Sequence, residues 1–472
     1  MLVVRRVGAR CFSQAAVLRP REDFTPVIGL EVHVQLKTKT KLFSRAPIGE
    51  DGGPNSRVAP FDMAEPGTLP LLNKAAVFHA LRLGLLMNCE IPARCRFDRK
   101  HYFYADMPAG YQITQMQYPI AKNGKFGFHV YDDGLDPYWK EVDIIQLQLE
   151  QDSGKTIHEG NISLIDLNRA GAPLVEVVTA PTICSSIEAV CFIQQLRLLL
   201  MHFEICEGEL HKGHIRVDAN ISLFNDGKNG VRCEVKNMNS IRHLQSAIDY
   251  EINRQYHILS KGGIVEYETR ACDSHGRTVS MREKEGDVDY RFMAEPNIPT
   301  VHISREHIQK CKFDSYDKPS YQKFIDQGFD PRSAIHFAEN PLLSNFASNC
   351  SPFLEVQPEV FLHWLKQLKI LMQRSKAVYP PQSKFFASQF MKVIELLQSN
   401  RITQLRAIEL IKAYANEVEM RETLEVQFVT WLVPLHPSLH QGQELCISSV
   451  LARYGKVWKL LEESMLPGCL TM

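Results

Sequence analysis

The stretch GLEVHVQL at residues 29–36 sets a carboxylate, an imidazole and an amide in one row. Side chains alternate along a strand with period two, so Glu31, His33 and Gln35 share one face while Leu30, Val32, Val34 and Leu36 share the other. The pattern recurs along the chain. In IIQLQLEQD, Ile145, Leu147 and Leu149 oppose Gln146, Gln148, Glu150 and Asp152, and in HIRVDANISL, Ile215, Val217, Ala219, Ile221 and Leu223 oppose Arg216, Asp218, Asn220 and Ser222. VRCEVK sets Val231, Cys233 and Val235 against Arg232, Glu234 and Lys236, and IVEYETR sets Val265, Tyr267 and Thr269 against Glu266, Glu268 and Arg270.

For any single strand a solvated face is the simpler reading, and residue type is what argues for more. Asp and Asn are depleted in strands and gain nothing there unless something binds them. Opposite charges also recur two residues apart, as in Arg216/Asp218 and Arg232/Glu234/Lys236, about 6.6 Å at strand rise. That mixture suits a divalent cation bridging phosphate oxygens, with carboxylates on the metal and basic groups on the anion. In PLVEVVTAP, Glu176 shares a strand face with Leu174 and Val178. A carboxylate in apolar surroundings needs a metal or a cationic partner to offset several kcal/mol of desolvation, and a structural ion pair serves as well as a metal here.

The elements that position these residues are legible in the periodicity. Alternation with one polar face marks an antiparallel sheet resting on a core. SSIEAVCFIQQLRLLLMHF opens with a capping box, Ser185 to Glu188, and carries a helical apolar stripe. A second helix starts at Asn239 or Ser240 and stops at Gly262. The first 300 residues read as an α+β domain around a mainly antiparallel sheet. FDRKHYFYADMPAGYQITQ concentrates Arg99, Lys100 and aromatics beside Pro108 and Gly110; it is expected to be an ordered loop able to stack on a base, with core aromatics as the alternative. After residue 300, PEVFLHWLKQLKILMQ, KFFASQFMKVIELLQ and TQLRAIELIKAYANEV have helical periodicity, broken by VYPPQS.

Whole-chain properties set bounds. The 472 residues exceed what one core usually serves, and two or three domains are expected. Lys plus Arg equals Asp plus Glu at 54 each, so a nucleic-acid surface would have to be local. No apolar run reaches the length of a membrane span. Residues 1–21 carry Arg5, Arg6, Arg10, Arg19 and Arg21 and no acid before Glu22. This pattern predicts a mitochondrial transit peptide over residues 1–25. Twelve cysteines occur without a CxxC pair, and Cys206, His211 and His214 fit no standard metal spacing. SGKT at 153–156 is not a P-loop, since Leu149 stands where glycine is required, and neither GxSxG nor GxGxxG occurs. Without a nucleophile loop for hydrolysing an amide, any ammonia used here is expected from another chain.

Seven segments occur in order: VIGLEVHVQLKTKTKLFS, FDRKHYFYADMPAGYQITQ, EQDSGKTIH, DLNRAGAPLVEVV, IRVDANISL, EVKNMNSI and DVDYRFMAEPNIP. Together, across residues 26–299, they closely resemble the B-subunit family of the aspartyl/glutamyl-tRNA(Asn/Gln) amidotransferases, and with the N-terminal segment the mitochondrial form. The resemblance implies a cradle domain related to the glutamine synthetase fold over residues 26–300, a helical domain over 301–380 and a helical tail over 381–472. It implies ATP and Mg²⁺ as cofactors, phosphorylation of the Glu side chain of misacylated Glu-tRNA(Gln), and displacement of the phosphate by ammonia. It also implies a heterotrimer in the mitochondrial matrix. The amidase partner, or A subunit, releases the ammonia from glutamine, and a small partner, the C subunit, braces the pair.

By similarity, Glu31, His33, Glu150 and Asp152 are assigned to the reacting centre, and Glu150, Glu176 and Glu234 to metal. Lys155, Arg169, Arg216 and Lys236 are assigned to phosphate or acyl-phosphate contacts. The chain also departs from the family: HxEEDAGK is replaced by QLEQDSGK, so Gln148 stands for a His and Gln151 for a Glu. Gln can hydrogen-bond but adds no charge and cannot act as a base. The tail lacks the usual Gly-rich basic end, which puts its tRNA contact in doubt. Two further readings remain from the same residues, a non-catalytic scaffold of the complex and a glutamine-synthetase-like ligase using free ammonia.

Overall fold

A computed structural model describes residues 23–49, 52–273, 275–281, 290–313, 318–351, 356–375 and 378–415. The expected transit peptide up to residue 22 and the tail beyond 415 lie outside the described residues. The chain divides into two units, Met1–Pro341 and Leu342–Met472.

In the first unit, β1 (Thr25–Gln35) and α1 (Lys74–Leu86) precede three short strands, β2 (Arg94–Cys95), β3 (Asp98–His101) and β4 (Tyr111–Thr114). A long hairpin, β5 (Ala121–Asp132) and β6 (Leu135–Gln151), leads to a small one, β7 (Lys155–Glu159) and β8 (Ile162–Asp166). Then come β9 (Pro173–Thr179), α2 (Ser186–His202), β10 (Ile215–Asn225), β11 (Lys228–Asn229), β12 (Cys233–Met238) and α3 (Ile241–Leu259). The unit closes with β13 (Thr269–Cys272), β14 (Thr278–Ser280), β15 (Met293–Ala294), β16 (Val301–His302), α4 (Arg305–Cys311), α5 (Ser320–Asp326) and α6 (Pro331–Glu339).

The main sheet runs β14-β13-β12-β10-β1-β9-β6-β5, with β11 paired to β10. Every pairing in it is antiparallel except β12 with β13. The chain is therefore α+β with a mainly antiparallel sheet and C-terminal helices, as its periodicity predicts. Leu30, Val32 and Val34 of β1 are 0–1% exposed and join Val175 and Val177 of β9, Ile215 and Val217 of β10, and Phe192 and Leu196 of α2 in one core. Glu31, His33 and Gln35 stand on the opposite face, only partly exposed.

Helix α2 begins where the Ser185 hydroxyl accepts the Glu188 N–H at 3.1 Å. The reciprocal half of the expected capping box is shifted, because the Glu188 carboxylate accepts the Cys184 N–H at 2.7 Å and also takes Lys140 Nζ at 2.7 Å. Ser185→Ala is expected to cost about 1 kcal/mol of stability, measured as a lower urea midpoint with unchanged slope. Helix α3 starts after Ser240, whose hydroxyl accepts the His243 N–H, and ends before Gly262.

Three parts of the strand reading are corrected. Ile145 is exposed and Ile144 buried, because the β6–β9 register shifts between Ile144 and Gln146 and the extra residue turns Ile145 outward. Val231 is exposed and precedes β12. In IVEYETR the expectation holds at Val265, which is 4% exposed, and is reversed at the end of the segment: Arg270 is 8% exposed and reaches Glu251 of α3, while Thr269 bonds Glu234 on the open face. The ion pair with Glu251, that with Glu268 and the hydrogen bonds to Thr278 make a charged side chain acceptable on the helix side.

The second unit holds α7 (Pro341–Cys350), α8 (Pro358–Ser375), α9 (Lys384–Gln398) and α10 (Gln404–Ala415). Phe346, Phe361, Phe386 and Phe390 pack at its centre, with the Phe346 and Phe390 rings 5.6 Å apart. Helices α4–α6 fall in the first unit, so the helical sequence after residue 300 is shared between both units.

Candidate functional site on the open face of the sheet

Strand pairing turns isolated polar residues into a grid. β1 lies between β9 and β10, so His33 has Arg216 on one side and Glu176 on the other, and Glu176 in turn faces Gln148 of β6. One row over, Glu31 faces Asp218 and Val178. Asn220 then bridges from β1 to Glu234 of β12. Directly opposed side chains sit about 5 Å apart.

Two clusters result, each with ligand-type atoms within 4.8 Å of one another: His33, Glu150 and Glu176, and Glu31, Asp218 and Glu234. In the first, His33 Nε2 is 3.4 Å from Glu150 Oε1 and 3.9 Å from Glu176 Oε1. The Gln148 amide donates to Glu176, and Thr114 of β4 donates to Glu150 at 3.3 Å. In the second, Asn220 donates to Glu31 at 2.9 Å, the Asn237 N–H donates to Asp218 at 2.7 Å, and Lys236 Nζ lies 2.8 Å from Glu234 and 3.8 Å from Asp218.

The charge distribution favours a bound cation on this face. Burial, then the neighbouring Glu176, pushes the Glu150 carboxyl up to about 7. Burial, then Glu176, raises Glu31 as well, against the opposing hydrogen bond from Asn220. Burial lowers the His33 imidazole, but Glu176, Glu150 and Asp218 outweigh it and leave the pKa above the ordinary value. Burial likewise lowers the Lys236 ammonium, yet Asp218 and Glu234 hold it well above the usual lysine range. Carboxylates held together against their repulsion are a recognised mark of a functional site.

The fit to a divalent cation follows from the donors. Glu31, Asp218 and Glu234 offer only oxygen, which suits Mg²⁺. His33, Glu150 and Glu176 offer two carboxylates and an imidazole, a set open to a wider range of divalent ions. The three residues assigned to metal from sequence are thus divided, Glu150 and Glu176 in one cluster and Glu234 in the other.

The phosphate candidates divide too. Lys236 and Arg216 lie on the face, and Arg216 holds Asp152 Oδ2 at 2.9 Å. Arg169 spends its donors on the Ser153 carbonyl at 3.0 Å and the Gly154 carbonyl at 2.6 Å, and lies 3.5 Å from Asp152, bracing the turn after β6. Lys155 stands exposed on the β7–β8 hairpin, paired in register with Asp166, outside the grid.

Sequence reasoning marks Asp218 and Asn220 as strand residues that something should bind but gives them no role, and it misses Thr114. The parity of Asp218 and Asn220 with Arg216 is visible in the sequence, but not that β10 runs beside β1, 189 residues away at the Glu31–Asn220 contact. The loop between β3 and β4 is ordered with its aromatics outward: Phe103 is 82% exposed, and the Tyr102 and Tyr104 rings lie 4.5 Å apart. Arg99 sits 4.2 Å from the Tyr111 ring and bonds Glu295 at 3.1 Å. The core-aromatic alternative does not hold for Phe103.

Residues 26–309, which contain the whole grid, match the family described as the GatB/GatE catalytic domain. This chain belongs to that family. A relative in Danio rerio, named as the B subunit of mitochondrial glutamyl-tRNA(Gln) amidotransferase, is 50% identical over 283 residues, 59% of this chain and 51% of the relative. A Homo sapiens protein of the same name is 49% identical over 316 residues, 66% of this chain and 54% of the relative. The B subunit of the aspartyl/glutamyl-tRNA(Asn/Gln) amidotransferase of Carboxydothermus hydrogenoformans is 37% identical over 394 residues, covering 81% of this chain and 80% of the relative. The chain thus spans about half the length of the animal relatives it matches. Among GatB/GatE catalytic domains, then, this one carries Gln148 and Gln151 on β6 beside Glu150.

Proposed function

We propose that this chain acts as the B subunit of a glutamyl-tRNA(Gln) amidotransferase, using ATP to phosphorylate the side-chain carboxylate of Glu carried on tRNA(Gln) so that ammonia can replace the phosphate. The observation that supports this most is the convergence of two acid clusters, Lys236 and Arg216 on one sheet face inside the family match. The names of the relatives point to the same reaction.

A carboxylate is a poor acyl donor, and activation to an acyl phosphate needs charge neutralisation in a water-poor site. Mg²⁺, held by Glu31, Asp218 and Glu234, would supply that neutralisation, with His33, Glu150 and Glu176 as a second cation position. Lys236 and Arg216 bind and orient the anionic phosphates. With no cation in that second position, Glu150, whose carboxyl is pushed up to about 7 by burial and by Glu176, is poised to accept a proton as ammonia adds. Gln148 keeps Glu176 oriented through its amide.

The reading extends to two partner chains, the amidase that releases ammonia and the small bracing chain. It extends also to a cradle related to the glutamine synthetase fold and to the mitochondrial matrix, consistent with the arginine-rich start of the chain and the mitochondrial names of relatives. The test is reconstitution of the full chain with both partners on Glu-tRNA(Gln). ATP-dependent formation of Gln-tRNA(Gln) is expected, with loss of turnover when Mg²⁺ is chelated. Binding of tRNA and partners without turnover would leave a scaffold, and turnover on free glutamate would leave an independent ligase.

A further inference from the structure

Lys41 is 0% exposed. Its Nζ lies 3.1 Å from Asp62 Oδ2 and 3.1 Å from the Leu167 carbonyl oxygen. The same Asp62 oxygen accepts the Ser44 hydroxyl at 3.1 Å and the Ala59 N–H at 2.9 Å. Burial pulls the lysine pKa down, and Asp62 opposes the shift. Taking both charges out of water is expensive, and apolar residues of similar volume commonly serve stability as well or better. The pair therefore needs a reason other than stability.

That reason lies in what the pair touches. Lys41 grips the carbonyl at the start of the 167–172 turn, and the Leu42 N–H donates to the Gly171 carbonyl at 2.8 Å. Gly171 has φ +82°, and a Cβ there would come 3.1 Å from Asp62 Oδ1 and 3.4 Å from Lys41 Cδ, so the pair lies directly against this backbone. The Gly171 N–H donates to the Asp152 carbonyl at 2.8 Å, and the Asp152 N–H donates to the Ala172 carbonyl at 2.9 Å. The Asp152 carboxylate holds Arg216 at 2.9 Å, and Arg216 is the cross-strand neighbour of His33.

We infer that the buried Lys41–Asp62 pair is a positioning device: it sets the 167–172 turn against which Asp152 is registered, and through Asp152 it aims the Arg216 guanidinium at the open face beside His33. In this role Lys41 and Asp62 act through the turn and Arg216, not on the reacting atoms. Their effect on turnover rests on the function proposed above, while their effect on the turn does not.

The test uses the full chain with its partner chains, comparing wild type with Lys41→Met/Asp62→Leu and with Asp62→Asn. The double variant is expected to melt within a few degrees of wild type. Amide hydrogen exchange should quicken in peptides covering residues 152–172 and stay unchanged in α2 and α3. Its kcat for ATP-dependent amidation should fall about 10–100-fold, the cost of a small misplacement of a reacting group, and Asp62→Asn should give a smaller fall in the same direction. Its KM for ATP should rise about two- to fivefold, since Lys236 still holds the phosphates while the Arg216 contact is misaimed. An unchanged kcat in an active wild-type background overturns the inference. A collapse of melting temperature with exchange quickened throughout overturns it too, since the pair would then be a stabiliser. An inactive wild-type complex would defeat the proposed function instead, and unchanged exchange at 152–172 would still defeat this inference.

Discussion

Glu150→Gln will lower ATP-dependent amidation by about 10²–10³-fold, and Glu234→Gln will do the same, because each removes one charge from a preorganised cluster at nearly constant shape. The initial rate of Gln-tRNA(Gln) formation is the measurement. Stability distinguishes this from a packing defect. Glu150 is 3% exposed and its carboxyl pKa is raised by burial and Glu176, so the folded chain holds that proton more tightly than the unfolded one. A raised carboxyl pKa means that stability falls as pH climbs from the ordinary value of 4.5 toward about 7. The neutral amide lifts this burden, so in chelator at pH 8 the melting temperature of Glu150→Gln should equal or exceed that of wild type. Retained turnover, or a fall in both rate and melting temperature, would remove Glu150 from the reacting centre.

The largest loss of stability is expected from Glu251→Ala, about 3 kcal/mol, because Arg254 and Arg270 would then share Glu268 as their one remaining acidic partner, at 3.0 and 2.7 Å, while buried donors lose their acceptor. Glu251 is 0% exposed on α3. One of its oxygens accepts Arg254 at 2.7 Å and Gln255 at 2.8 Å, and the other accepts Arg254 Nε at 2.9 Å and the Thr278 hydroxyl at 2.8 Å, with Arg270 Nε at 3.3 Å. This network joins α3 to β13 and β14. Removing it should also loosen Thr269 of β13, which bonds Glu234 at 3.3 Å. Burial raises the Glu251 pKa, but the hydrogen bonds from Arg254, Gln255 and Thr278 outweigh it and hold the carboxyl below 4.5. A depressed carboxyl pKa contributes stability above the unfolded value and loses it as pH falls through the folded one. The gap between wild type and Glu251→Ala in urea unfolding should thus be full at pH 7 and narrow below pH 4.5. A gap independent of pH would show that Glu251 acts through packing alone.

The two predictions concern opposite faces of one sheet, and the faces differ in how much of them sequence can reveal. The helices of the second unit and α2 and α3 follow from apolar spacing and caps, since those signals are local. Arg270 falls on the side opposite to its expected one, because Glu251 of the helix packed beneath, Thr278 of β14 and Glu268 of its own segment together make the inner side tolerable for a guanidinium. Ile145 departs for a related reason: one extra residue in β6 reverses the alternation, and nothing in IIQLQLEQD marks where the bulge falls.

What the sequence determined by itself is the segregation of each strand: Leu30, Val32 and Val34 to the core, and Glu31, His33 and Gln35 away from it. Backbone geometry imposes that alternation whatever the neighbours are. Tertiary structure alone decided which polar residues meet. Placing β1 between β9 and β10 sorted the acids into His33–Glu150–Glu176 and Glu31–Asp218–Glu234, committed Arg169 and Arg216 to Asp152, and left Lys155 on a separate hairpin. The place and register of β1 come from contacts with residues more than a hundred positions away, and a one-dimensional pattern of faces carries no information about them.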